Sequence, residues 1–126
     1  MSQNHYNKAT LIGRLTRDPE VRTTASGIAV ARFTIAVDRV RRNENGEKVT
    51  DFHRIVAWRR LAEIVGQYMR KGQLVAVEGA LQVDHYEREG VQRESIEIVA
   101  NNIQMLDRAD QINNQEVQVP VEKEQV

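Results

Sequence analysis

The period of the apolar residues constrains the fold of this chain more than any other feature of its sequence. Most apolar runs alternate with a period of two, which predicts β-strands. One segment differs, because Leu61, Ile64, Val65, Tyr68 and Met69 recur at the spacing of an amphipathic helix. Three predicted strands precede this helix and two follow it. A lone helix does not produce repeated strand–helix–strand units, so the pattern argues against a doubly wound parallel sheet.

Turn residues set the boundaries of these strands. The turn signals are Asp18-Pro19, Ala25-Ser26-Gly27, Asn45-Gly46 and Glu89-Gly90. The predicted strands cover residues 8–15, 28–39, 52–60, 73–88 and 91–106. A basic loop from about Val40 to Thr50 joins the second strand to the third. Arg70 and Lys71 suit the negative C-terminal end of the helix, and Gly72 is placed to cap it.

This order of elements predicts an all-β fold with one helix. A five-stranded Greek-key barrel with its helix between strands three and four is the OB-fold, which commonly binds oligonucleotides or oligosaccharides. After Leu106 the apolar periodicity fades and polar residues dominate. We therefore expect an OB-fold domain over residues 1–106 and a polar, acidic, disordered tail over residues 107–126.

The third predicted strand carries an unusual face. His53, Ile55 and Ala57 alternate with Phe52, Arg54, Val56, Trp58 and Arg60. Aromatic rings spaced between guanidinium groups suit an unpaired nucleic-acid strand, because the rings stack on bases and the cations neutralise phosphates. The alternative is that Phe52 and Trp58 belong to the core and the arginines merely flank them.

Charge is unevenly distributed along the chain. The formal net charge is zero, yet residues 1–106 hold 16 Lys+Arg against 13 Asp+Glu, and residues 107–126 hold 2 against 5. The interval 39–60 alone has seven basic residues and three acidic ones. A basic middle followed by an acidic end is consistent with nucleic-acid binding. No apolar run near 18 residues predicts a transmembrane span, the first twenty residues lack the apolar segment of a secretory signal, and the lack of cysteine is compatible with a cytosolic chain.

Two other classes of function are compared with this one. A metal nuclease requires clustered carboxylates, whereas Asp38, Asp51, Glu63 and Glu78 occur singly and the three histidines lie far apart. No glycine-rich phosphate loop or nucleophile with a paired base is present. We therefore predict no enzyme activity, no metal and no cofactor. An OB-fold RNA-binding or protein-adaptor module remains the alternative.

Four segments in the same order resemble the bacterial single-stranded DNA-binding protein family. The first runs from Asn7-Lys8 through Leu11-Ile12-Gly13-Arg14-Leu15-Thr16-Arg17-Asp18-Pro19-Glu20-Val21-Arg22. The others cover residues 27–36, residues 52–58 with Leu61-Ala62-Glu63, and residues 68–79. The resemblance extends from about Asn7 to Leu106. It implies a homotetramer of OB-folds that wraps single-stranded DNA largely without sequence preference during replication, recombination and repair.

The resemblance also implies roles for individual residues. The stacking aromatics of the family correspond to Phe52, Trp58 and Tyr86. Without the resemblance, the sequence around Tyr86 is equally consistent with an ordinary exposed tyrosine. A further stacking position falls near Arg41, whose guanidinium can stack on a base. Phosphate-contacting positions correspond to Lys8, Arg14, Arg22, Arg32, Arg54 and Arg60. The chain departs from the family at Gln82, Asp84 and His85, where members are often basic, which implies weaker electrostatic binding around Tyr86.

The tail departs from the family as well. Members usually end in an acidic run with a phenylalanine-containing tip that docks on replication and repair proteins. Here Glu116, Glu122 and Glu124 occur with Lys123 among them, and no phenylalanine follows. The resemblance thus predicts single-stranded DNA and self as partners, no membrane, and a weakened link to other proteins. It places the protein in the cytoplasm with the nucleoid, or in the host cytoplasm for a phage-encoded member.

Overall fold

The structure, a computed structural model, describes residues 5–107 of the 126. The predicted tail therefore lies outside the described residues, apart from Asp107. In the described part of the chain the elements are β1 (Ala9–Leu15), β2 (Glu20–Thr23), β3 (Ala29–Asp38), β4 (Thr50–Trp58), α1 (Arg59–Tyr68), β5 (Leu74–Arg88) and β6 (Val91–Met105). No helix within residues 5–107 has the length and apolar character needed to cross a membrane.

Five of these strands close on themselves. The sheet order is β1-β5-β6-β4-β3, and β1 also pairs with β3 through Arg14 and Leu15, which completes the ring. The neighbours are antiparallel except β4 and β6, which run parallel where Ile55 meets Ile98. With α1 between the third and fourth strands of the ring, this is the predicted OB-fold arrangement, and that prediction is confirmed.

Two glycines permit the close approaches that closure requires. A Cβ on Gly13 would lie 2.5 Å from the carbonyl oxygen of Ala36, at the point where β1 passes from β5 to β3. A Cβ on Gly79 would overlap the carbonyl oxygen of Val99, where the β5–β6 register shifts. Both positions bring two backbones together, a situation in which glycine is favoured over any residue with a side chain.

The core fills the inside of the barrel. Alternate residues of β3 from Ala29 to Val37 are apolar in the sequence, and three of them, Ala31, Phe33 and Ile35, are buried. Val65 and Met69 at the helical end are buried as well. The alternation read from the sequence therefore predicted which face of β3 packs inward. Because successive side chains of a strand point to opposite sides, the intervening residues Arg32 and Thr34 project outward.

Two local predictions are wrong. The aromatic strand ends at Trp58 rather than at residue 60, because Arg59 adopts a left-handed φ of 58° and turns the chain into α1. Gly72 does not cap the helix, since α1 ends at Tyr68 with an extended Met69 and Gly72 lies in the following turn. The guanidinium of Arg70 instead donates hydrogen bonds to the carbonyl oxygens of Gly66 (3.0 Å) and Met69 (2.7 Å).

The short strand β2 was not expected from the sequence. It pairs antiparallel with β3, extending the sheet on the outside of the ring. Its four residues, Glu20 to Thr23, are all exposed and mostly polar, so they carry no apolar alternation from which a strand could be recognised. The backbone pairing with β3, rather than burial, defines this element.

Candidate nucleic-acid interface

The outward face of β4 presents two large aromatic rings around a cation. Phe52, Arg54 and Trp58 project from this face, and the β3 residues opposite them are Ala36, Thr34 and Val30, respectively. Phe52 is 64% exposed and Trp58 is 40% exposed, so neither belongs to the core, contrary to the alternative. A sheet surface that holds rings in water at such a spacing can stack unpaired bases.

Two residues expected on this face are not part of it. Val56 is only 2% exposed, so the face is interrupted by a buried side chain between Arg54 and Trp58. Arg60 lies in α1 rather than on β4, 4.0 Å from Glu63 across one helical turn. The outward set on β4 therefore consists of Phe52, Arg54 and Trp58, and Arg60 can approach a ligand only from beside the strand.

Tyr86 lies on an arm that extends beyond the barrel. The distal halves of β5 and β6 pair only with each other among the described residues, up to a two-residue turn at Glu89 and Gly90, both with positive φ (51° and 78°). Tyr86 is 42% exposed and stands directly opposite Arg93. Arg93 was missed from the sequence, although the two-residue turn predicts this pairing. A cation beside the ring partly compensates for Asp84.

Two depressions flank the aromatic strand. The first, of about 380 Å³, is lined by Thr34 and by charged side chains that include Arg17, Arg32, Arg54 and Glu97. The second, of about 730 Å³, lies beside Phe52 and is lined by His53, Leu81, Ser95 and Ile96 among others. Three guanidinium groups border the first depression together with the carboxylates of Asp18, Glu20 and Glu97, so a phosphodiester there would meet charges of both signs.

Most of the predicted cations already have carboxylate partners. Lys8 lies 2.5 Å from Glu78, and this hydrogen bond raises the pKa of Lys8 and lowers the pKa of Glu78. Arg22 pairs with Glu20, and Arg32 donates to Glu97 at 3.1 Å. Arg54 and Arg41 are different, since neither has an ion pair with any residue in the described part of the chain.

Arg14, near the C-terminal end of β1, is held by contacts with residues outside this strand. Its guanidinium donates to the carbonyl oxygen of Gly72 at 3.0 Å and lies 3.6 Å from the carboxylate of Asp107. These contacts join β1 to the turn before β5 and to the last described residue. Of the predicted cations, Arg14 thus has the clearest structural role, independent of any ligand.

The sequence and the fold were compared with those of known proteins. The single-strand binding protein family matches residues 6–106. The chain belongs to this family. It is 46% identical over 111 residues to single-stranded DNA-binding protein 1 of Staphylococcus aureus (strain MSSA476), covering 87% of this chain and 71% of that protein.

Two further comparisons agree. Single-stranded DNA-binding protein A of Bacillus subtilis (strain 168) is 46% identical over 102 residues, which is 80% of this chain and 59% of that protein. Among solved structures, the Plasmodium falciparum SSB complex with ssDNA has a TM-score of 0.77 and 29% identity, covering 85% of this chain and all of that chain. The match therefore extends to the three-dimensional arrangement as well as the sequence.

Proposed function

We propose that this protein binds single-stranded DNA largely without sequence preference. The observation that supports this most strongly is the outward set on β4, namely Phe52, Arg54 and Trp58. It lies beside the first depression, which Arg17 and Arg32 also border. The rings stack on successive bases, and Arg54 contacts the phosphates between them. Family membership and the ssDNA complex of a structural relative support the same ligand.

The remaining predicted residues extend this path. Tyr86 supplies a third ring on the β5–β6 arm, and Arg41 supplies a stacking or phosphate cation in the β3–β4 loop. Lys8, Arg14, Arg22, Arg32 and Arg60 contribute to phosphate binding at its margins. The protein coats single-stranded DNA in the cytoplasm during replication, recombination and repair. It does not act as an enzyme.

A homotetramer that wraps the strand completes the proposal. One subunit presents a short binding face, whereas four faces on one particle hold a single strand by avidity. The outward edge of the N-terminal half of β1 supports this, because residues 9–13 pair only with β5 among the described residues and Ile12 is exposed. An unpaired strand edge and an exposed apolar side chain suit contact with a second copy.

A polarisation titration of labelled oligo(dT) tests the ligand. We expect tight binding that weakens as salt rises, and much weaker competition by duplex DNA. An equal preference for RNA oligomers would favour the RNA-binding alternative, and no binding to either would favour a protein adaptor. Nuclease activity on the oligomer would contradict the non-enzymatic assignment.

Light scattering tests the assembly. The full chain has a mass of 14.5 kDa, so a tetramer has four times that value. A monomer mass at micromolar concentration, with oligo(dT) binding intact, would reject wrapping while leaving single-stranded DNA binding in place.

A further inference from the structure

We propose that Glu97 acts as a built-in competitor of DNA phosphate for Arg32, and so sets the affinity and the salt dependence of binding. This inference rests on the proposed function. In the free protein, the Nε of Arg32 donates to the Oε2 of Glu97 at 3.1 Å. The Arg32 side chain is about half exposed, whereas that of Glu97 is only 13% exposed.

The position of Glu97 places its carboxylate beside the expected DNA path. Ile55 pairs with Ile98, so Glu97 lies on β6 at the level of Arg54 on β4, and its side chain reaches Arg32 on β3. The carboxylate of Glu97 and the guanidinium groups of Arg32 and Arg54 all border the first depression. A strand that passes from Phe52 to Trp58 must therefore cross this ion pair.

Among the described residues, Arg32 is the cation that forms an ion pair with Glu97. Around the groove, the neighbouring groups are Arg32 on β3, Arg54 on β4, Gln82 and Asp84 on β5, and Arg17, Asp18 and Glu20 in and before β2. Arg54 is the nearest alternative by register, but it forms no ion pair with Glu97 in the described structure. When a phosphate takes Arg32, the carboxylate is left next to an anion.

Two consequences follow for binding. Contact with Arg32 exchanges one ion pair for another, so its net contribution is smaller than that of Arg54, which forms no ion pair within residues 5–107. The negative charge of Glu97 also remains under the DNA, which reduces by one the net number of phosphates that the protein neutralises. The slope of log K against log salt is shallower by about 0.7 for each such charge on single strands.

The variant Glu97→Gln removes the charge and retains a hydrogen-bond acceptor for Arg32. We expect binding to oligo(dT) at low salt to strengthen by about 1.5-fold to fivefold, in line with the range measured for exposed ion pairs. The salt slope should steepen by about 0.7. The matched control is Asp51→Asn, which makes the same charge change at an arginine–carboxylate pair, Arg39 and Asp51 at 2.8 Å, that borders neither of the two depressions.

A double-variant cycle isolates competition from general repulsion. In an Arg32→Gln background, Glu97→Gln should strengthen binding by a smaller factor, because the carboxylate no longer withholds a cation. Equal factors in the two backgrounds would overturn the proposal. Thermal unfolding of each variant checks the fold, and Glu97→Ser replaces Glu97→Gln if the latter lowers the melting temperature.

The remaining outcomes separate this inference from the proposed function. If Glu97→Gln leaves the affinity unchanged or weakens it while the wild-type chain binds oligo(dT), Glu97 only orients Arg32 and the competitor role is wrong. If the control strengthens binding and steepens the slope as much as Glu97→Gln, the effect is net charge alone and the proposal is also wrong. A wild-type chain that fails to bind oligo(dT) would instead reject the proposed function.

Discussion

Trp58 combines exposure with a fixed position at the end of β4. Its backbone pairs with Val30, while its ring remains 40% exposed. A ring held in this way loses little conformational freedom when a base stacks on it. The same geometry means that the ring contributes less to the core than a buried tryptophan would.

Replacing Trp58 with alanine should therefore affect binding more than stability. We expect Trp58→Ala to weaken oligo(dT) binding by about 1–3 kcal/mol, the usual contribution of one stacked base. Trp58→Phe serves as the control and should retain most of the affinity. Because the chain has one tryptophan, its intrinsic fluorescence should also fall on DNA addition in the wild type. A mutant that unfolds, with no fluorescence change in the wild type, would contradict this role.

Arg59 follows Trp58 in a backbone conformation that most residues avoid. Its φ of 58° lies in the left-handed region, which costs an L-residue about 1–2 kcal/mol. Glycine has no such cost but loses more entropy on folding, by about 0.5–1 kcal/mol. Arg59→Gly should therefore leave the free energy of unfolding unchanged or raise it by up to about 1 kcal/mol.

The adjacent residue provides a matched control for this prediction. Arg60 lies in α1 without a left-handed φ, so Arg60→Gly should lower the free energy of unfolding by about 1 kcal/mol. Chemical denaturation of both variants measures the difference. If the two substitutions destabilise the domain equally, the backbone at Arg59 is not strained.

At the scale of elements, the base of the β3–β4 hairpin is joined by polar contacts. The guanidinium of Arg39 binds the carboxylate of Asp51 through Nε at 2.8 Å and through a second nitrogen at 3.1 Å. This hydrogen bonding holds the pKa of Asp51 below its usual value of 3.8. On the neighbouring pair, the hydroxyl of Thr50 donates to Asp38 and lowers the pKa of that carboxyl as well.

These lowered pKa values predict acid sensitivity of the hairpin. A carboxyl whose folded pKa lies below its unfolded pKa contributes stability above the unfolded value, and this contribution is lost as pH falls through the folded value. Melting temperature should thus drop below about pH 4, near the ordinary carboxyl pKa. Asp51→Asn should reduce that pH dependence, and Arg39→Gln should reduce it similarly. If both variants have the same pH profile as the wild type, solvent screening has removed the contribution of the Arg39–Asp51 ion pair to stability.

The sequence predicted the long elements and missed those that lack a buried face. β3, β5 and β6 were found within one residue at each end, because their alternation continues over many positions. β2 is exposed throughout, and the end of β4 depends on one backbone torsion at Arg59, so neither leaves an apolar signal. These features arise from pairing and backbone geometry rather than from hydrophobic periodicity.

The residues of the candidate site also fall into those that local periodicity predicts and those that depend on which strands pair. Phe52, Arg54 and Trp58 share one face because the period of a strand is two, and this was visible in the sequence. Glu97 and Arg93 were not found, since their relevance depends on which strands lie side by side. The pairing of β4 with β6 brings together residues more than forty positions apart, and local pattern carries no information on it.

At the scale of the whole molecule, the start of the tail is attached to the barrel. Asp107 accepts a hydrogen bond from the backbone N–H of Leu74 at 3.1 Å and lies near Arg14. A deletion intended to leave the domain intact should therefore begin after Asp107. Removing residue 107 as well would leave Arg14 without this carboxylate.

Deletion of residues 108–126 should tighten DNA binding slightly at low salt. The deleted segment carries two basic and four acidic residues, and a negative segment competes weakly with phosphates for the basic face. The difference from the full chain should vanish at high salt because screening removes it. Equal affinity of the full and shortened chains at low salt would contradict this competition.

The sheet pairing implies that the two halves of the interface differ in rigidity. β4 pairs with β3 along its whole length and with β6 at Ile55 and Val56, whereas the distal halves of β5 and β6 pair only with each other among the described residues. Amide hydrogens at the centre of β4 should therefore exchange with solvent more slowly than those near Tyr86, which are exposed by local opening of the arm. Phe52 and Trp58 would form a fixed platform and Tyr86 a movable clamp. Hydrogen exchange with and without oligo(dT) measures this, and the largest slowing on binding should occur in the arm.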